Sequence, residues 1–291
     1  MIVSVILVNF NDRDRLRSCL GSLRKQEPVP EIIVVDNAST DGSGELVAPE
    51  FPEARWIALR ENAGFGRANN AGVRAATGEG LLFLNTDTVV PPGAIRVLGE
   101  RLSSDSGISA VGPALVRSSG RSQVSFGRSV GLFGQSLQKF LLNPFHERTL
   151  PHSGRVRSVG WLSAACLLCR RSAFEAVGGF DEEFFLYFED IDLCVRLRKA
   201  GGRLLFDPAA KVVHEGGSTT APRSAASRFE YRRSQLLFYR QHRPRASAGI
   251  LLALLRAEAR RLERRGAFLG DDGAALKART ERLLKGDTSR P

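Results

Sequence analysis

Cysteine is scarce in this 291-residue chain. Its four thiols, Cys19, Cys166, Cys169 and Cys194, imply no disulfide framework and suit a reducing compartment. Cys166-Leu-Leu-Cys169 has the spacing of a metal or redox pair, but it lies in an apolar run that reads as strand. Residues three apart on a strand point to opposite faces, so shared chemistry is not expected. Long apolar runs are absent too, and none reaches the roughly 18 residues a spanning helix requires. The apolar start, Met1 to Val8, lacks a basic lead-in and a small-residue cleavage site, so it is expected to be a first strand, not a secretion signal. Internal repeats are likewise missing. The expected location is cytoplasmic, with a peripheral place on the inner face of the cytoplasmic membrane as the alternative.

What is present is ordinary for a globular chain, with 43% apolar and 25% charged residues. The net charge of +11 is unevenly spread. Between Arg223 and Arg265 there are 12 arginines against three acids, Glu230, Glu258 and Glu263, and the preceding residues are close to neutral. A nucleic-acid-binding fold carries its charge on the recognition surface. A block confined to the C-terminal part reads instead as a contact surface for an anionic partner, and no nucleic acid is expected.

The first hundred residues alternate strand and helix. Apolar, β-rich runs cover Ile2–Val8, Glu31–Val35, Arg55–Leu59 and Gly80–Leu84, with helical patterns near Arg13–Lys25, Ser43–Pro49 and Gly66–Thr77. Such βαβ units predict an α/β fold with a mostly parallel sheet flanked by helices, binding its ligands at the carboxyl ends of the strands. Gly107–Arg121 reads as strand and turn, and Ser122–Arg157 as an irregular lid or acceptor-facing insertion. A strand near Ser158–Cys169 follows, then helices near Ser172–Val177 and Glu189–Ala200 and strands at Arg203–Phe206 and Ala210–His214. The expected domains are residues 1–220, with halves 1–105 and 106–220, and a basic helical extension over 221–291.

Three strands run into polar residues: Asn9-Phe10-Asn11, Asp36 through Gly42, and Asn85-Thr86-Asp87. A dinucleotide-binding fold would carry its glycine fingerprint after the first strand, and none is there. Asp36 can open an Asx turn or present its carboxylate to a base or ribose. Asp87 can be a turn residue, or can bind a hard divalent cation together with diphosphate oxygens. Glu189, Asp190 and Asp192 open a helix whose dipole they complement. Helical spacing turns Asp192 toward Arg196 and Lys199 as a solvated ion-pair residue, and Asp190 inward with Cys194 and Leu197. An inward carboxylate beside the aromatics Phe184–Phe188 is where a general base belongs, because partial desolvation raises its pKa. His214 ends a strand before Gly216 and Gly217. It is either a structural histidine or, since glycines allow close backbone approach, a metal or diphosphate contact.

Taken together these stretches resemble the family 2 inverting glycosyltransferases, and within them the bacterial rhamnosyltransferase-like members. The matching segments are Val34–Gly42, Asn62–Asn70, Leu84–Thr88, Gly178–Glu182, Phe188–Leu193 and His214–Gly217, in family order from Ile2 to about Ser218. The resemblance implies a GT-A fold and a single displacement with inversion. It implies that Asp36 binds the nucleoside, that Asn9, Asn69, Asp87 and Asp181 line the nucleotide-sugar site, and that Asp87 and His214 hold Mg2+ or Mn2+. It makes Asp190 the base that deprotonates the acceptor hydroxyl. The donor implied is a nucleotide sugar, with dTDP-rhamnose favoured, and the acceptor a glycan or lipid-linked saccharide of cell-surface polysaccharide synthesis. One departure stands out. The family's metal motif often reads Asp-x-Asp, whereas this chain has Asn85, which leaves Asp87 as the expected sole acidic ligand.

In the basic extension Ala248–Leu255 is almost wholly apolar, and Arg256, Arg260, Arg261, Arg264 and Arg265 follow. That pattern suits an anionic membrane surface over residues 246–265, or a helix packed on the protein with solvated arginines. Two other functions fit the architecture less well. A sugar-phosphate nucleotidyltransferase wants a glycine-rich, arginine-bearing loop where Asn9-Phe-Asn-Asp12 stands. A non-enzymatic scaffold would tolerate loss of Asp87 or Asp190, and both are present.

Overall fold

In the computed structural model of the protein, which describes residues 1–128, 154–215, 225–264 and 271–288, the early apolar runs become strands. These are β1 (Val3–Asn9), β2 (Glu31–Asp36), β3 (Ala54–Ala58) and β4 (Gly80–Asn85), joined by helices α1 (Arg13–Leu23), α2 (Ser43–Glu50) and α3 (Phe65–Ala75). The four strands pair in parallel in the order β3-β2-β1-β4. The chain steps outward from β1 to β3 and then returns to lay β4 on the other side of β1. Such a reversal opens a crevice beyond the carboxyl ends of β1 and β4, where α/β sheets take their ligands.

Next come β5 (Thr88–Val89), α4 (Ala94–Ser103), β6 (Ile108–Val116), β7 (Phe126–Gly127), β8 (Arg157–Ser158), β9 (Trp161–Leu162) and β10 (Cys166–Arg170). Helices α5 (Arg171–Ala176) and α6 (Glu189–Lys199) and strand β11 (Arg203–His214) complete the sheet region. The sheet continues β4-β10-β6-β11-β5, with β8 on β11 and a separate β7-β9 pair. It is mostly parallel, since only β10 and the short β5 and β8 run against their neighbours.

Two expectations are corrected. The single strand over Ser158–Cys169 is three pieces, because the chain turns at Ser163, whose carbonyl accepts the Cys166 N–H. The two strands at Arg203–Phe206 and Ala210–His214 are one, carried through an irregularity between Asp207 and Lys211. Buried Asp207 accepts the Ala209 N–H at 3.0 Å and pairs with Arg101 at 2.8 Å, which fixes the bulge around Pro208. Of the expected insertion over Ser122–Arg157, residues 129–153 lie outside the described residues.

Alternating strand residues feed two cores. Val5, Leu7, Ile32, Val34, Leu82 and Leu84 pack with α1, α2 and α4 on one face, and Ile6, Ile33, Val35, Leu81 and Phe83 with α3, α5 and α6 on the other. Cys166 falls in the first core and Cys169 in the second, so the pair does point to opposite faces; all four thiols are buried and free. Gly72 shows how tightly α3 lies on the sheet, since a Cβ there would sit 2.5 Å from the Ile6 Cγ2.

The chain divides into two units, Met1–Asp181 with Asp190–Gly216, and Glu182–Glu189 with Gly217–Pro291. In the second, helices α7 (Ala225–His242), α8 (Arg245–Arg264) and α9 (Asp271–Leu284) bury Leu236, Leu237, Phe238, Leu251, Leu255 and Leu283. The aromatic segment before Asp190 belongs here. Phe188 packs its ring on Tyr231 and Phe238, at centroid distances of 5.3 and 5.6 Å, and Ser234 Oγ donates to the Leu186 carbonyl at 2.8 Å. These contacts hold Tyr187 and Phe188 at φ 69°, a left-handed conformation that costs a bulky residue about 1–2 kcal/mol. The basic block is divided in its use. Arg232 pairs with Glu258 at 2.9 Å, and Arg240 and Arg256 donate to the Gly286 and Leu284 carbonyls. Among the described residues no helix is long and apolar enough to cross a membrane.

Candidate active site

Parallel pairing sets Asn9 at the end of β1 opposite Asp36 at the end of β2. Buried Asn9 donates its amide to Asp36 Oδ1 at 2.9 Å and to Ser39 Oγ at 3.0 Å. The other Asp36 oxygen accepts the Ser39 N–H at 2.9 Å, so the carboxylate does open an Asx turn. Asn37 braces that turn against the stretch before α3, accepting the Ala63 N–H at 3.0 Å and donating to the Gly64 carbonyl at 3.1 Å. Asn9 Oδ1 is buried without a hydrogen-bond partner among the described residues, an unmet acceptor at the carboxyl rim of the sheet. Asn69 is tucked away, its amide donated back to the Phe65 carbonyl of its own helix at 2.9 Å.

Asp87 and His214 come together although 127 positions separate them. β11 pairs with β5 so that His214 lies opposite Thr88, and its Nε2 stands 3.1 Å from Asp87 Oδ1. Arg15 Nη1 approaches the other Asp87 oxygen at 3.9 Å, and Arg15 Nε pairs with Asp12 at 3.1 Å. Thr86 Oγ1 donates to Asp12 at 2.7 Å. Burial pushes the Asp87 carboxyl up, but the hydrogen bond and charge of His214, aided by Arg15, outweigh it and leave its pKa below the ordinary value. Asp12 goes the other way: burial raises it, the Thr86 hydroxyl and Arg15 oppose, and the charges of Asp87 and Asp41 add to the rise.

The Gln123 side chain settles the histidine's tautomer. Its Nε2 donates to the His214 carbonyl at 2.6 Å, which turns its Oε1 to His214 Nδ1 at 2.8 Å. An amide oxygen only accepts, so Nδ1 carries the proton. His214 Nε2 faces the Asp87 carboxylate, with the Asn85 amide nitrogen 3.5 Å away. With Nδ1 as the protonated nitrogen, the neutral form of the ring would offer its Nε2 lone pair beside the Asp87 carboxylate, a nitrogen and oxygen donor set that fits a divalent ion. Among the described residues no three His, Cys, Asp or Glu side chains gather as a complete metal set.

Asp190 opens α6 on the same face as buried Cys194 and Leu197. Its Oδ2 accepts the Ala164 N–H at 3.2 Å and its Oδ1 the Ile191 N–H at 2.8 Å. Burial raises its pKa above the ordinary carboxylate value, against the lowering effect of those two N–H groups. Asp192 was expected to be solvated and is instead buried, because Arg196 packs over it. The Arg196 guanidinium donates to Asp192 Oδ2 at 2.6 and 2.8 Å and spends its remaining nitrogen on the Val177 and Gly179 carbonyls, both at 2.7 Å.

Those carbonyls belong to the loop that leads to Asp181. Gly178 and Gly179 sit at φ 79° and 75°, where only glycine is at ease. Asn70 grips the next residue from α3: its amide donates to the Phe180 carbonyl at 2.9 Å and accepts the Phe180 N–H at 3.0 Å. The Phe180 ring is buried against Phe83 and Phe174, at 4.8 and 5.5 Å between centroids. Asp12, Arg15, Asn70, Gln123 and Arg196 were not singled out from the sequence as site residues. Asp12 lay in the polar exit from β1 and Asn70 beside Asn69, whereas Gln123 sits in an irregular stretch that carried no signal.

A mostly parallel sheet of this strand order, with its carboxylates gathered at the carboxyl rim, defines the GT-A class of fold. The mannosyltransferase from Pyrobaculum calidifontis solved with GDP-Man and Mn2+ shares that fold, with a TM-score of 0.58 and 18% identity over 97% of this chain and 84% of its own. Residues 4–178 match the model of glycosyl transferase family 2. The chain is 32% identical over 259 residues to the N-acetylglucosaminyl-diphospho-decaprenol L-rhamnosyltransferase of Mycobacterium tuberculosis, covering 81% of this chain and 83% of the relative. It is also similar to the rhamnosyltransferase WbbL of Escherichia coli K12, at 27% identity over 73% of this chain and 83% of that one. The chain therefore belongs to glycosyl transferase family 2, and it is a glycosyltransferase of the rhamnosyltransferase-like kind.

Proposed function

We infer that this glycosyltransferase moves L-rhamnose from dTDP-rhamnose to a glycan or lipid-linked saccharide acceptor in polysaccharide synthesis, by single displacement with inversion. The observation that carries the mechanism is Asp190, a half-buried carboxyl at a helix start whose proton affinity is raised by its surroundings. A base of raised pKa takes the acceptor hydroxyl proton more readily as that oxygen attacks the anomeric carbon. Asp36, braced by Asn9 and Ser39, presents a fixed edge to the nucleoside. Asp181, at the end of the clamped Gly178–Phe180 loop, borders the sugar. Asp87 and His214 Nε2 would hold Mg2+ or Mn2+. A bound cation supplies charge neutralisation to the departing diphosphate, and the Arg15 guanidinium stands close enough to add to it. Turnover measured with Asp190→Asn and Asp87→Ala tests the scheme. Each is expected to fall by about 100-fold or more, and wild-type turnover in both would exclude it.

Acceptor chemistry fits the second unit. On α8 one face carries exposed Ala246, Ile250, Ala253, Leu254 and Ala257, then Arg260, Arg261 and Arg264 toward the helix end. Ile250 and Leu254 are 53% and 58% exposed. An apolar stripe running into arginines suits the surface of an anionic bilayer, where a lipid-linked acceptor would be presented. Arg265, the last of the predicted cluster, lies outside the described residues. Sedimentation with vesicles containing anionic phospholipid should be lost when residues after Ala246 are deleted; equal binding by the shortened chain would rule the surface out.

A further inference from the structure

We propose that Gln123 is a positioning residue for the metal site, one that selects which nitrogen of His214 faces Asp87. The proposal rests on the reading of His214 as a metal ligand. Gln123 is held before its side chain does anything. After β6 the chain reverses in a tight turn closed by the Gly120 N–H to the Arg117 carbonyl at 2.8 Å, with Gly120 at φ 77°. The Gln123 N–H then donates to the Leu115 carbonyl at 2.8 Å. β6 and β11 run side by side, with Val116 beside Val213, so the reversal sets Gln123 next to His214.

From that fixed backbone both ends of the amide engage the same residue. One reaches the His214 carbonyl at 2.6 Å and the other its Nδ1 at 2.8 Å. A carboxamide that binds a neighbour's backbone carbonyl cannot flip without setting its oxygen against that carbonyl, so the ring tautomer is set by the amide's direction. In the neutral ring Nε2 is then the electron-pair donor, and it stands 3.1 Å from Asp87 Oδ1. Were the proton on Nε2, the ring would hydrogen-bond to Asp87 and offer a cation nothing. Partners of this kind orient metal-bound histidines, and their loss commonly weakens metal affinity about 10–100-fold.

The experiment is a Mn2+ titration followed by electron paramagnetic resonance on the full chain with dTDP or UDP present. Gln123→Leu, which removes both contacts at similar volume, should weaken Mn2+ binding about 10–100-fold. Gln123→Glu keeps an oxygen for the Nδ1 proton but loses the donor to the His214 carbonyl, so it should bind Mn2+ more tightly than the leucine variant and no more tightly than the wild type. His214→Ala separates the two levels of the argument. If it leaves Mn2+ binding unchanged, the metal-ligand reading fails and this proposal with it. If it weakens binding while Gln123→Leu does not, only the role of Gln123 falls. Should the leucine variant misfold, the ring nitrogens of neutral His214 in the unaltered protein decide by 15N NMR. A protonated Nδ1 and bare Nε2 support the assignment, and the reverse pattern overturns it.

Discussion

Replacing Asn70 with alanine should loosen the loop that carries Asp181, and the structure sets the size of the effect. The side chain makes two hydrogen bonds with Phe180, to its carbonyl at 2.9 Å and from its N–H at 3.0 Å. Neutral bonds of this kind contribute about 1 kcal/mol each, and a buried backbone group left without a partner costs about 1–3 kcal/mol. Phe180 is 1% exposed, so water reaches its peptide groups poorly. The Gly179 carbonyl keeps its Arg196 partner, which limits the damage to the Asn70 side of the loop. A loss of about 2–4 kcal/mol is expected, equivalent to roughly 2–4 °C in the melting midpoint for each kcal/mol. Urea unfolding followed by tryptophan fluorescence reads the right part of the chain, since both tryptophans, Trp56 and Trp161, lie in the unit that contains Asn70. Asn70→Asp retains the acceptor and loses the donor, so it should fall between alanine and wild type. A stability of Asn70→Ala within about 0.5 kcal/mol of wild type would refute the argument.

Two further outcomes follow from the geometry. Burial lifts the Asp190 pKa above 3.8, so the carboxylate form, and activity with it, should appear at a higher pH than an ordinary aspartate gives; a turnover profile with its acid limb at 3.8 or below contradicts this. The same shift has a stability consequence. The folded state holds that proton more tightly than the unfolded one, so this group's contribution declines as pH rises from 3.8 through the raised value and stays reduced above it. Asp190→Asn should therefore lose turnover yet unfold no more easily than wild type at neutral pH, and a clear loss of stability would show that the ionised group is structural. Gly72→Ala would drive a Cβ to 2.5 Å from Ile6 Cγ2 and 3.1 Å from Val35 Cγ2. Overpacking of this kind costs about 1–3 kcal/mol, and unfolding as stable as wild type would mean that α3 can shift off the sheet.

Much of the fold could be read from periodicity, because β1, β2 and β4 alternate strictly between two cores and α1 and α3 begin within a residue of their expected starts. The failures came where local pattern and local bonding disagree. Ser163 breaks an apolar run with a turn that its carbonyl closes, and Asp207 carries a strand past Pro208 by capping the bulge itself. Neither bond has a sequence signature. At the candidate site the strand-end residues Asn9, Asp36 and Asp87 were visible because polar residues terminating apolar strands stand out. His214 beside Asp87 needed the β5–β11 pairing, which no local pattern encodes. Asp192 was misjudged because helical spacing says which residues share a face but not whether that face is covered. The loop from Val177 packs over it through Arg196.

That loop is tied from two helices at once, by Asn70 on α3 and by Arg196 on α6. The double tether governs how this part of the sequence can drift. A substitution at either position alone leaves the glycine pair tied by one side chain, whereas a second substitution leaves Gly178 and Gly179, two residues with little conformational preference of their own, held by their N–H bonds to the Glu175 and Phe174 carbonyls. The harm done by a change at one position therefore depends on what occupies the other, which makes the pair epistatic across more than a hundred positions of chain. A redesign of this loop is best confined to replacements that preserve one tether before altering its counterpart.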